Sequence, residues 1–301
     1  MKYMLEVTIS GIRFRNPVLL ASGIMDEQGD SMLRAAREGA GGVVTKSIGI
    51  EEREGYSNPT VVVLPTGLMN AIGLSNPGIE NFKEEIDLVK KEKIPVIGSI
   101  FGKNEDFPFL AKKMEEFGAD GVELNLSCPH VKGFGSEIGQ DPDAVEEIVK
   151  EVKKKVSIPV FAKLTPNITN IVEIAKAASS ADALVLINTV KGMVIDIYAK
   201  RPVLSNIYGG YSGPGIKPIG VRAVYDVRKE MKIPIIGVGG INGWEDAVEY
   251  ILSGANAVQV GSAIYYKGFS IFKEIVKGLE TYMKNEGFER IEDFSGLAVI
   301  K

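Results

Sequence analysis

Cysteine and histidine each occur once in the 301 residues, at Cys128 and His130. A lone cysteine excludes an intramolecular disulfide framework. It also excludes an iron–sulfur cluster held by this chain alone, since such clusters take about four thiolate ligands. With one histidine beside it, a dedicated His/Cys zinc site is all but excluded, and no metal is expected. No apolar run approaches the roughly 18 residues of a membrane span, and the opening MKYMLEVTIS carries no apolar signal region. No excess of positive charge is present to recruit nucleic acid: 35 Lys and Arg face 39 Asp and Glu, a formal net charge of −4. Runs such as KEEIDLVKKEK (83–93) mix both signs at helical spacing and read as solvated helix faces. A soluble, cytoplasmic chain with neither a nucleic-acid nor a membrane partner is the expectation.

What is abundant is a repeat. A small-residue elbow leads into an apolar run in EGAGGVVTK (38–46), FGADGVELN (117–125), SADALVLIN (180–188) and SGANAVQVG (253–261). A charged helix end, then Ile-Pro, then an apolar run recurs in KIPVIGSI (93–100), SIPVFAKL (157–164) and KIPIIGVG (232–239). The two phrases alternate, and NPVLLASG (16–23) at the front makes eight. Each run is short, β-branched and without polar alternation, as expected of a parallel strand buried on both faces. Amphipathic stretches such as DAVEEIVKEVKKKV (143–156) and WEDAVEYILSG (244–254) lie between them. Eight such units predict an α/β fold, one (β/α)8 TIM barrel spanning 1–301. A doubly wound sheet would instead show GxGxxG after its first strand, and none is there. The period-two alternation of EVTISGIRFRNP (6–17) predicts a short N-terminal β-hairpin plugging the barrel bottom.

Active sites of such barrels sit at the C-terminal ends of the strands. Read there, the chain offers Ser22, Lys46, Ser47, Ser99, Asn125, Lys163, Asn188 and Thr189. Lysines and asparagines are poor core material, so function is the better reading of them. Gly239-Gly240 and Gly261-Ser262 follow strands seven and eight, where barrels build phosphate sites from backbone N–H groups. Lys163 suits either a Schiff-base lysine or a fixed charge beside a cofactor, and Lys46 suits either job. After strand two, Asn70 and the backbone of Ala71, Ile72, Gly73 and Leu74 can present donors and acceptors to a planar polar ligand. The 190–220 connection is too long for a bare loop and predicts function or a partner surface.

A lone cysteine is usually inert core. Cys128, however, precedes Pro129, which stops strand pairing, and so falls at the barrel mouth. A papain-like pair with His130 lacks a third, orienting group. An isolated thiol facing a cleft can act as a general base, with a reference pKa near 8.5. The Gly-containing FGSEIG (134–139) nearby reads as a lid.

These residues resemble the dihydroorotate dehydrogenase family, class 1, and most closely its type B catalytic subunits. The likeness is carried by ASG (21–23), TKS (45–47), NAIGLSNPG (70–78), NLSCPH (125–130), AKLTPN (162–167), INTVKGMVID (187–196), SGPGIKPI (212–219), GVGGI (237–241) and VGSA (260–263). The resemblance implies FMN across the strand tops, its phosphate on Gly239, Gly240, Gly261 and Ser262. It implies ring contacts from Ser22, Lys46, Ser47, Asn125, Lys163, Ile187 and Gly213. It further implies dihydroorotate held by Lys46, Asn70, Ala71, Ile72, Gly73, Leu74, Asn125, Asn188 and Thr189. Cys128 would take the C5 proton while hydride leaves C6 for the flavin. Two positions depart from the family pattern: His130 where an asparagine is common, and Ser99 where an asparagine often contacts the flavin. Type B chains also imply a homodimer and a partner subunit with FAD and a [2Fe–2S] cluster, a heterotetramer passing electrons to NAD+. The alternatives are a type A-like enzyme using fumarate or another acceptor, and a lysine-dependent aldolase-type barrel.

Overall fold

Eight parallel strands close on one another in chain order. They are β1 (Val18–Leu20), β2 (Gly42–Val44), β3 (Val96–Ile100), β4 (Gly121–Asn125), β5 (Val160–Leu164), β6 (Ala183–Leu186), β7 (Ile235–Val238) and β8 (Ala257–Val260). The computed structural model describes residues 4–126 and 138–300. Except for Asn125 at the end of β4, every residue of these strands is buried. That is why the runs lack polar alternation: one face fills the barrel and the other meets the helices.

The helices are α1 (Gly29–Arg37), α2 (Lys83–Lys90), α3 (Asp106–Glu116), α4 (Pro142–Lys155), α5 (Ile171–Ala177), α6 (Lys217–Glu230), α7 (Trp244–Leu252), α8 (Ala263–Lys267) and α9 (Ile271–Glu286). In α4 the Asp141 carboxylate caps the N-terminus by accepting the Asp143 N–H at 3.0 Å, with Pro142 in the first turn. Val145, Ile148, Val149 and Val152 form its buried stripe, and Lys153, Lys154 and Lys155 face the negative end of the helix dipole.

The two repeated phrases bond to each other. Proline before each Ile-Pro strand leaves the next N–H at the barrel bottom in need of an acceptor. The following elbow supplies it: Val96 N–H donates to Asp120 at 2.8 Å, Val160 N–H to Asp182 at 2.7 Å and Ile235 N–H to Asn256 at 2.9 Å. A cation from the last turn of the preceding helix completes each tie, namely Lys90 on Asp120, Lys153 on Asp182 and Arg228 on Asn256. GAD, SAD and GAN are thus strand-pairing devices, which accounts for their recurrence.

Below the barrel, Val7–Ile9 pairs antiparallel with Ile12–Phe14 through a turn at Ser10 and Gly11, both at positive φ. Ile12 and Phe14 lie so close to Gly121 and Gly42, the first residues of β4 and β2, that a Cβ there would fall 2.9 and 2.8 Å from them. The hairpin therefore plugs the bottom, as its alternation predicts. Above the barrel, Val61–Leu64, Gly67–Asn70, Tyr208–Ser212 and Val190–Met193 form a four-stranded antiparallel sheet. The long connections after β2 and β6 are therefore not loops but one joint wall. No helix among the described residues is long and apolar enough to cross a membrane.

Candidate active site

A cavity of about 400 Å³ opens at the C-terminal ends of the strands, a usual size for a cofactor or substrate site. The upper sheet walls one side through Val61, Leu68, Asn70 and Ser212. Strand ends supply Ser22, Lys46, Ser47, Asn125 and Lys163, while Ile187, Asn188 and Thr189 follow β6. Gly239, Gly240, Gly261 and Ser262 close the far end, and Ile72, Gly73 and Leu74 line the side after the upper sheet. Residues scattered over 240 positions of sequence are thus brought to one chamber.

Three expected residues stand behind the wall. Ser99 is fully buried, and its hydroxyl lies 2.8 Å from that of Ser47, which it supports in place of touching the cavity. Ala71 is buried beneath the upper sheet, its N–H donating to the Thr60 carbonyl at 2.8 Å. Gly213 has φ of +102°, and a Cβ there would stand 2.6 Å from the Gly67 Cα. It is glycine because two backbones cross at that point. Cys128 and His130, and residues 134–137 of the expected lid, lie outside the described residues.

The polar lining is a connected set. The Asn188 side chain donates to the Asn125 side-chain oxygen Oδ1 at 3.2 Å, and the Asn125 side-chain NH2 donates to the Ser47 hydroxyl at 3.0 Å. Ser47 in turn stands 3.2 Å from Ser22. Asn188 accepts the Thr189 N–H at 2.7 Å, and Asn70 donates to the Gly210 carbonyl at 3.3 Å. These bonds fix which end of each amide carries its acceptor, so the site is oriented before a ligand arrives.

The sequence reading missed the charges under this layer. Glu123, two residues before Asn125 on β4, is 0 % exposed, and its Oε1 lies 3.3 Å from the Lys163 ammonium, itself 5 % exposed. Gln259 on β8 donates to Glu123 Oε2 at 2.8 Å. An acid in GVELN and an amide in AVQVG, each amid apolar strand residues, were the available signal. Asp26, after β1, is 2 % exposed and accepts the Gly23 N–H. Burial pushes its carboxyl up to about 6, against the pull of the Lys46 charge, of its own and the Gly23 N–H, and of the Lys163 charge.

A folded value above the ordinary 3.8 means that the folded chain holds this proton more tightly than the unfolded one. Asp26 therefore favours folding fully below pH 3.8, and that contribution is lost as pH rises through about 6. The difference between the two values corresponds to about 3 kcal/mol. Asp26→Asn keeps an acceptor for Gly23. It is expected to exceed the wild type in denaturant stability at pH 8 by up to about 3 kcal/mol, with the gap closing below pH 4. A gap that ignores pH would assign it to packing.

The far end of the cavity has the character of an anion site. Among the described residues, the N–H groups of Gly240, Gly261 and Ser262 donate to no other backbone group. Gly261 has no positive φ, and a Cβ there would meet only Ala21 and Ile24, at 3.5 and 3.9 Å. The protein by itself has no need of glycine at 261; the space is left for something else.

An eight-stranded βα barrel with lysines and asparagines around one cavity at the C-terminal ends of its strands has the layout of a barrel enzyme. The chain is a member of the dihydroorotate dehydrogenase family, whose sequence model matches residues 4–283. It is 59% identical over 296 residues, 98% of each chain, to the dihydroorotate dehydrogenase B (NAD(+)) catalytic subunit of Thermoplasma volcanium. A protein of the same description from Pyrococcus abyssi is 57% identical over 301 residues, covering 98% of this chain and 99% of the other. Another, from Methanocaldococcus jannaschii, is 51% identical over 302 residues, 98% of each.

Proposed function

We propose that this chain oxidises dihydroorotate to orotate in pyrimidine biosynthesis, with FMN as its bound cofactor. The observation that carries the reading is one cavity lined by Lys46, Lys163, Asn70, Asn125 and Asn188 and closed by amides with no backbone acceptor. FMN fits this set on three counts. The turns at Gly239, Gly240, Gly261 and Ser262 suit a phosphate. The space beside Gly261 admits a close ligand. Lys163 sits on the floor as a fixed cation, and Ser22, Ser47 and Ile187 flank the ring's place.

When bound, FMN supplies the acceptor for the hydride that leaves C6. Everything else falls to the chain. Lys46 holds the substrate carboxylate, while Asn70, Asn125, Asn188 and Thr189, with the backbone at Ile72, Gly73 and Leu74, match the ring's urea-like edge. Cys128 takes the C5 proton, so that proton and hydride leave together and the C5–C6 double bond remains. Lys163 is better suited to being a fixed cation beside the cofactor than to Schiff-base chemistry, because an ammonium paired with Glu123 is a poor nucleophile.

The relatives named above are catalytic subunits that use NAD(+), which supports NAD+ as the final acceptor and a partner subunit in between. With one cysteine here, a [2Fe–2S] cluster and FAD belong to that partner, in a heterotetramer built on a homodimer of this chain in the cytoplasm. The test is an absorption spectrum of the chain with FMN, then anaerobic dihydroorotate. A flavin band that bleaches supports the reading. A band that persists rejects the substrate, and failure to take up FMN rejects the cofactor.

A further inference from the structure

We infer that Glu123 and Gln259 form a platform across the barrel axis that positions the Lys163 ammonium against the cofactor. Strands β4 and β8 stand diametrically opposite in the closed barrel, four places apart in the ring. The 2.8 Å bond from Gln259 to Glu123 therefore bridges the axis and does not follow a strand pair. Glu123 and Asn125 point to the same face of β4, so Glu123 lies one layer beneath the Asn125 amide, while Gln259 and Lys163 reach the cavity itself.

Three apolar residues would fill this layer at less cost, because a carboxylate shut away from water must be paired and hydrogen-bonded. Each member of the trio answers to another. Gln259 turns its NH2 toward Glu123 Oε2, which fixes the amide and leaves its own Oε1 without a hydrogen-bond partner among the described residues. Glu123 Oε1 also lacks a hydrogen bond within those residues, and its nearest cation is Lys163 at 3.3 Å. Asp26, in the connection above β1, feels the charges of both Lys163 and Lys46. Without the Glu123 carboxylate below it, the Lys163 ammonium has no fixed counter-charge at the floor and is free to swing toward Asp26, which moves positive charge away from the cofactor. Glu123 is thus a positioning residue, acting through Lys163.

The inference rests on FMN occupying the cavity, and its test reads the cofactor without turnover. Sulfite adds to oxidised flavins and bleaches them, and its affinity tracks the positive charge beside the ring's pyrimidine edge. Sulfite is titrated into the FMN-loaded wild type, Glu123→Gln, Glu123→Asp, Gln259→Met and, as reference, Lys163→Met. Glu123→Gln is expected to weaken sulfite binding by about tenfold or more, toward Lys163→Met, as expected when a charge retreats by several ångströms in a poorly solvated site. Glu123→Asp retains more affinity, and Gln259→Met shifts it in the same direction by less.

Sulfite binding to Glu123→Gln that is unchanged, or tighter because a negative charge has simply gone, would overturn the inference. If Glu123→Gln does not fold, unchanged or tighter sulfite binding to Gln259→Met overturns it in the same way. A wild type that takes up no FMN would sink this inference together with the cofactor reading. A yellow wild type that dihydroorotate does not bleach would sink only the substrate, and the sulfite comparison would stand.

Discussion

Cys128→Ala is expected to slow the bleaching of bound flavin by dihydroorotate by about 10²–10⁴-fold, the usual worth of a positioned general base, while the flavin band itself stays. The C5 proton needs an acceptor, and the described lining supplies none that suits. Its asparagines, serines and threonine are not bases near neutral pH, and its lysines serve as charges. Asp26 does not line the cavity and spends its carboxylate on the Gly23 N–H. Cys128 follows Asn125 by three residues in the sequence. A thiol with a reference pKa near 8.5 has a usable thiolate fraction at working pH, which a serine hydroxyl lacks. Cys128→Ser is therefore expected to be slow at neutral pH and to recover as pH rises. Both variants are read by anaerobic stopped-flow loss of the flavin band at saturating dihydroorotate. A Cys128→Ala rate equal to the wild type would remove this thiol as the base.

The barrel was legible because its signals are local. Ile-Pro entries and GAD, SAD and GAN elbows recur in the chain, and each proves to be half of one hydrogen-bonded tie, from Val96, Val160 and Ile235 to Asp120, Asp182 and Asn256. Strand ends then named the lining, since a lysine or asparagine there has no core to join. What escaped was non-local. The upper sheet pairs Gly67–Asn70 with Tyr208–Ser212, some 140 residues away, so neither segment shows its partner in its own pattern. Gly67 and Gly209 of this sheet, and Gly213 just after it, serve close backbone crossings. Ser99 was offered by its place at a strand end and by the family resemblance, and its hydroxyl meets Ser47, one layer back from the cavity, a contact that no local pattern announces. Glu123 and Gln259 escaped because each looks like a single polar error in an apolar strand. Only the closed ring shows that β4 and β8 face each other.

Gly261→Val is expected to fold as stably as the wild type and to weaken FMN binding by about 10²-fold or more. The two halves of that statement have separate causes. For folding, Gly261 has no positive φ, and a Cβ at that position makes only ordinary contact with Ala21 at 3.5 Å. For binding, the added side chain enters the side of the cavity where the Gly261 and Ser262 amides have no backbone acceptor. Loss of a charge-assisted bond costs about 1.5–3 kcal/mol and overlap about 1–3 kcal/mol, so roughly 3 kcal/mol or two decades of affinity is a conservative sum. Gly240→Ala makes the contrast. Its φ is +76°, and the Cβ would stand 2.7 Å from the Lys217 nitrogen and 2.8 Å from the Gly213 oxygen, both backbone atoms that cannot rotate away. That variant should lose stability and FMN together, whereas Gly261→Val should lose FMN alone. Melting temperature of the flavin-free chains and FMN fluorescence titration separate the two effects. A stable Gly261→Val that binds FMN as the wild type does would move the phosphate away from β8, since no cofactor resting on those amides could tolerate the added side chain.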